Sequence, residues 1–158
     1  MSVNWLIFAS PTLISSLYLF YSACLSGWTS YGHTGQCYQH FTSLKPWDEA
    51  RRFCQSAAPD GKEGDLASVG DHFTNSFLTT ITTKYVWIGG QRNEDENWSW
   101  TDGSRFRYNA WAPEQPNDAE QKHIAFNFGT PGQWNDEHIN SEKGFICQYK
   151  GNEFLSLF

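Results

Sequence analysis

Four cysteines, Cys24, Cys37, Cys54 and Cys147, constrain this chain more than any other feature. None belongs to a C-x-x-C pair, so two disulfides account for them better than a zinc site does. Four cysteines allow three pairings, and spacing alone does not choose among them. Disulfides need an oxidising compartment, and the N-terminus points to one. No charged residue precedes Lys45, and the stretch from Trp5 to Tyr21 is mostly apolar. It reads as a secretory leader removed near Ser22 or Ala23, although no Lys or Arg marks its start and Pro11 interrupts it. The expected organisation is a leader over 1–23, one domain over 24–150 and a short tail over 151–158, with a secreted, extracellular product. Phe154, Leu155, Leu157 and Phe158 make that tail either a handle for a homo-oligomer or a frayed end.

The 158 residues suffice for one domain with a substantial core, and 8 Trp, 7 Tyr and 12 Phe are far too many for a disordered segment. Seventeen acids against 11 bases leave a net charge of −6. Nucleic acid and an anionic membrane both need a basic face, so neither is the expected partner, and no membrane insertion is expected once the leader is removed. No G-x-S-x-G, H-E-x-x-H or phosphate loop occurs, so the chain is read as a binding protein with no catalytic residues.

Two segments have helical period. From Pro46 to Ser56, Trp47, Ala50 and Cys54 fall at spacings of three and four and share a face, with Pro46 suited to the first turn. From Asp71 to Thr82, Phe73, Phe77, Leu78 and Ile81 form one stripe behind Asp71 as N-cap. Short runs read as strands at Tyr38 to Phe41, Leu66 to Val69, Tyr85 to Ile88, Trp98 to Trp100, His123 to Phe128 and Phe145 to Tyr149. The pattern is α+β. Between the fourth and fifth runs, Thr101 to Lys122 carries Gly103, Pro113, Pro116 and several Asn and Asp, and a connection of that length is read as functional.

Several motifs then occur in a fixed order: Cys24-Leu25-Ser26-Gly27-Trp28 with Cys37-Tyr38, the helix from Trp47 to Cys54, Trp87-Ile88-Gly89-Gly90, Trp98-Ser99-Trp100-Thr101-Asp102-Gly103, Trp134-Asn135-Asp136 and Phe145-Ile146-Cys147. The series resembles the C-type lectin-like domain in its long form, over about Cys24 to Lys150. The third motif is similar to that family's central strand, usually WIGL. The resemblance implies two helices flanking small antiparallel sheets with a long calcium and ligand loop. It also implies the pairs Cys24 with Cys37 and Cys54 with Cys147. Most members carry a further disulfide beneath the loop, at positions that align here with His123 and Ile139. Neither can bridge, so the loop depends on packing of Trp111 and Trp134, and on a bound cation, for its order. His123 and His138 are read as ordinary polar side chains, because two histidines do not fill a tetrahedral zinc shell.

The resemblance places calcium (Ca2+) and a glycan in that loop. Calcium takes oxygen ligands from carboxylates, amides and water. Gln115 and Asn117, around a cis Pro116, and Asn135 and Asp136 match the family's ligand positions. Glu120 is the candidate for a fifth ligand, with Gln121 one residue away by strict alignment. The same five residues, Gln115, Asn117, Glu120, Asn135 and Asp136, would hold two sugar hydroxyls. Mannose binders of the family carry Glu-Pro-Asn and galactose binders Gln-Pro-Asp. This chain is a hybrid, with a slight lean to galactose-type ligands from Gln115 and from the Trp111 ring. The alternative is a domain that recognises a protein, ice or mineral surface without sugar. Asn93, Glu94, Asp95 and Glu96 beside Asp118 read as a solvated acidic loop in preference to a second cation site. Asn97 lies in an N-x-S glycosylation sequon. From Glu94 to Glu142, ten acids stand against Arg105, Arg107 and Lys122, so negative charge gathers around the proposed loop.

Overall fold

The computed structural model describes residues 24–59 and 61–152, so the expected leader and most of the tail lie outside the described residues. Cys24 is joined to Cys37 and Cys54 to Cys147, across sequence separations of 13 and 93. On a chain-entropy argument these closures contribute about 3 and about 4.5 kcal/mol.

Helix α1 (Trp47–Ala57) buries Trp47, Ala50 and Cys54, the face that the spacing predicts. Pro46 takes the N-cap position, just ahead of the first turn, with extended backbone. Helix α2 (His72–Ile81) is capped by Asp71, whose carboxylate accepts the Thr74 N–H at 2.7 Å. Its inward face differs from the expected stripe: Thr74, Asn75 and Leu78 are buried, whereas Phe73 is 64% exposed. The cause is Asn75. Its amide donates to the Gly132 carbonyl at 3.0 Å and accepts the Trp134 indole N–H at 2.9 Å. Both partners are buried polar groups that need satisfying, so the helix turns Asn75 inward and Phe73 outward onto His33.

The strands are β1 (Thr29–Tyr31), β2 (Gln36–Lys45), β3 (Gly64–Leu66), β4 (Val86–Arg92), β5 (Trp98–Trp100), β6 (His123–Phe126), β7 (Trp134–Glu137) and β8 (Lys143–Lys150). They form one network in the order β1-β2-β8-β4-β6-β7, with β3 added to β8 and β5 to β4. The small antiparallel sheets of the expectation are joined through a parallel pairing of β4 with β8 at Val86–Gly144 and Trp87–Phe145. Neighbouring residues divide between two cores. Ile88, Phe126 and Ile146 pack with Leu78 and Trp134, whereas Trp87, Ala125 and Phe145 pack with Trp47 and Cys54. The centre of the sheet is therefore buried on both faces by strand alternation.

Gly90 stands where the resemblance to the WIGL strand implies Leu. A Cβ there would overlap the Ile124 side chain, so β6 supplies from across the ladder the volume that β4 omits.

Candidate functional site

Strand β7 carries the Trp-Asn-Asp triplet, and Asn and Asp are poor strand formers. They are strand residues here because β6 pairs with them in register, Ala125 with Asn135 and Ile124 with Asp136. The other edge of β7 receives the loop: Trp134 N–H donates to the Ala110 carbonyl at 2.8 Å and Ala112 N–H to the Trp134 carbonyl at 2.9 Å. The Trp111 ring lies 4.8 Å from Trp98 and 5.7 Å from Trp134, packed as core between them.

From this anchor the chain turns at Glu114, which has left-handed backbone (φ 64), into a cis bond between Gln115 and Pro116. The turn brings Asn117 over Asp136. The Asp136 carboxylate accepts the Asn117 N–H at 3.2 Å on both oxygens and the Asp118 N–H at 3.1 Å. Asp136 is completely buried, and none of the ion pairs among the described residues includes it. A carboxylate removed from water with two amide donors and no counter-charge is costly. The side-chain carbonyl oxygen of Gln115 is likewise buried without a donor. Two oxygen acceptors of the loop base thus lack a positive partner, which is donor chemistry that suits a hard cation. Among the described residues no three His, Cys, Asp or Glu side chains converge, as follows when three of the five expected donors are amides.

Asn135 is anchored on Tyr85. Its amide donates to the Tyr85 hydroxyl at 2.9 Å, and that hydroxyl lies 3.4 Å from the Glu137 carboxylate. Lys143 pairs with Glu137 at 3.1 Å and sits 4.4 Å from the Tyr85 ring centroid. Burial opposes ionisation of Glu137, but the His138 N–H, Lys143 and Ser141 together hold its carboxyl below the usual range. Burial, opposed by the hydrogen bond from Asn135, raises the Tyr85 phenol far above its ordinary value, so it stays a neutral hydrogen-bonding group. One NH2 hydrogen of Asn135 is donated to Tyr85, which fixes the amide orientation and leaves the second hydrogen and the carbonyl oxygen for other partners.

Glu120 is exposed, and its backbone N–H donates to the Asp118 carboxylate at 2.9 Å. Asn93 to Asn97 form an exposed turn between β4 and β5, closed by Asn97 N–H onto the Asn93 side chain at 2.8 Å. The structure joins that turn to the loop through Arg92, which sequence reasoning did not single out. Its guanidinium donates to the Asp118 carbonyl at 2.8 Å.

The two positions where the resemblance implies an inner disulfide both meet Trp47. The His123 ring lies 4.3 Å from the Trp47 ring, and the Trp47 backbone N–H donates to the Ile139 carbonyl at 3.0 Å while Ile139 packs against the same core. Burial pushes the His123 imidazole down to about 4, Asp48 opposing and Lys122 adding. His138 is exposed. A polar cavity of about 740 Å³ lies beside the end of β8, lined by Gln36, Lys62, Asp65, Thr101 and Lys150 among others, and takes no residue from Glu114 to Asp136.

A family model, the lectin C-type domain, matches residues 43–149. A lectin of Pleurodeles waltl is 37% identical over 135 residues, which are 80% of this chain and 76% of that one. Among solved structures, a calcium-independent type II antifreeze protein shares the fold with a TM-score of 0.74 and 27% identity, over 82% of this chain and 95% of the other. The C-type lectin CEL-I from Cucumaria echinata does so with a TM-score of 0.73 and 26% identity, over 82% and 99%.

Proposed function

Because the chain belongs to the C-type lectin domain family, whose members bind rather than catalyse, we propose that it is a secreted lectin that binds glycans with calcium. The residues that would hold the ion are Gln115, Asn117, Glu120, Asn135 and Asp136. The single observation that carries this reading is the Asp136 carboxylate, wholly buried at the base of the long loop and paired with no Lys, Arg or His among the described residues. A bound calcium supplies open coordination positions for two neighbouring sugar hydroxyls. The chain's own part is orientation and charge: Asp136 and Glu120 accept hydroxyl protons in hydrogen bonds, and the amides of Gln115, Asn117 and Asn135 donate. Tyr85 holds the Asn135 amide in place for that role.

Gln115 supports a slight preference for galactose-type ligands, without help from Trp111, whose ring is engaged by Trp98 and Trp134. Secretion follows from the leader over 1–23. Agglutination or innate recognition of surfaces would follow from a homo-oligomer. Asn97, exposed at the β4–β5 turn, is the proposed glycosylation site, and loss of mass on enzymatic deglycosylation, absent in Asn97→Gln, checks it.

The test is chromatography on galactose and mannose resins in millimolar calcium. Retention released by EDTA, and lost in Asp136→Ala, is expected; passage through both resins overturns the reading. A second reading, recognition of a protein, ice or mineral surface without calcium, has one observation in its favour. The Asn117 and Asp118 N–H groups already close the loop on Asp136. It gains weight if the resins fail.

A further inference from the structure

Arg92 ends β4, and its side chain is only 11% exposed. One guanidinium nitrogen, Nη2, donates to the Asp118 carbonyl at 2.8 Å and reaches the Gln121 carbonyl at 3.5 Å. The other, Nη1, pairs with Glu96 at 3.1 Å, and the group lies 5.5 Å from the Trp98 ring centroid. The Arg92 backbone N–H also donates to the Lys122 carbonyl at 2.8 Å. A single positive group therefore ties the turn at 93–97 to the loop at 118–122. Glu96 is 59% exposed, so its ion pair alone contributes little. The weight lies in the charge-assisted bond to a backbone carbonyl, made by a fork that a lysine cannot reproduce.

The tie reaches the proposed site through a single residue, Asp118. The Asp118 carbonyl accepts from Arg92, and the Asp118 N–H donates to the Asp136 carboxylate at 3.1 Å. Carbonyl and carboxylate oxygens from two segments converge on the guanidinium, which is what a second metal ion would otherwise receive at this corner. We propose that Arg92 is a positioning residue that serves as the built-in cation of this corner. It holds 118–122 over Asp136 in place of the missing inner disulfide and leaves the chain with one calcium site. The loop is accordingly preformed without metal. The bearing on calcium rests on the lectin reading above; the loop tie does not.

Amide hydrogen exchange in EDTA tests the tie. In Arg92→Met, exchange at Asp118, Glu120 and Gln121 should rise about tenfold or more, with α1, α2 and β8 unchanged; Arg92→Lys should fall between. Unchanged exchange at these amides in Arg92→Met overturns the proposal. If Arg92→Met loses protection throughout, Arg92→Lys decides: faster exchange confined to 118–122 supports the tie, and unchanged or global loss overturns it. Calorimetry should give one calcium per chain, bound about tenfold more weakly in Arg92→Met, as for removal of a group that orients ligands. Two calcium ions per wild-type chain overturn the proposal. If the wild type binds none, the lectin reading fails while the exchange result still stands.

Discussion

The imidazole of His123 lies against the Trp47 indole, ring centroids 4.3 Å apart, at one of the two positions where the resemblance implies a disulfide. Burial, with Lys122 adding and Asp48 opposing, holds that imidazole neutral down to about pH 4. An unfolded chain takes up the proton near pH 6.5. Between those values the unfolded state binds more protons, so stability falls as the pH drops through the window. Allowing for partial exposure, the loss is on the order of 2 kcal/mol. Asp71 and Glu137, with depressed carboxyl values, also lose stability in acid, so the comparison must be differential. His123→Phe keeps a ring on Trp47 and removes the titration. Thermal melts from pH 7 to 4 should show a shallower decline in the variant, and parallel curves would contradict the assignment.

Calcium affinity should be modest. Gln115 and Asn117 are both neutral, so Asp136 and Glu120 supply two charges where either usual triplet of the family supplies three. Ligand charge is a main determinant of affinity at such sites. Titration calorimetry should find binding weaker than about 1 µM. Submicromolar binding would show that Glu114 or another acid takes part.

Removing the Tyr85 hydroxyl should separate orientation from packing. Tyr85→Phe retains the ring beneath Lys143 but frees the Asn135 amide and loses a contact to Glu137. The expected cost in stability is about 1 kcal/mol. Calcium should bind about tenfold more weakly, as for other groups that orient ligands. A stability change with unaltered calcium affinity would reduce Tyr85 to a packing role.

Restoring the family's usual residue at Gly90 should harm this protein. Gly90→Leu forces a side chain into the space of Ile124, an overpacking that costs about 1–3 kcal/mol. Ile124→Ala should cost about 2–5 kcal/mol alone, and the double variant should be more stable than the sum of the two losses implies. Denaturant melts of the four proteins measure that coupling, and simple additivity would contradict the compensation.

The helices and most strands are legible because their apolar spacing is local: Trp47, Ala50 and Cys54 declare one face of α1 within a few residues. β7 is not, because Asn135 and Asp136 read as turn formers and become strand only through β6, which they meet after a loop. Phe73 misleads for a related reason, since the side that α2 buries is chosen by the distant Trp134 and Gly132. Arg92 escapes notice because an isolated arginine at a strand end has no signature. An acid count that begins at Glu94 passes over the cation that the acids surround. The exchange of volume between Gly90 and Ile124 joins residues 34 apart and leaves no local trace.

β8 pairs with β2, β3 and β4 at once, and it is the last strand of the sheet along the chain. A ribosome delivers it after every element it joins. Until residues 143–150 emerge, β2 and β4 have no common neighbour, and Cys54 waits through the synthesis of 93 further residues for Cys147. Assembly of the sheet is therefore withheld until its last strand is made, and a nascent chain stalled before Lys143 presents two open sheet edges and an unsatisfied thiol to the cell's quality-control machinery.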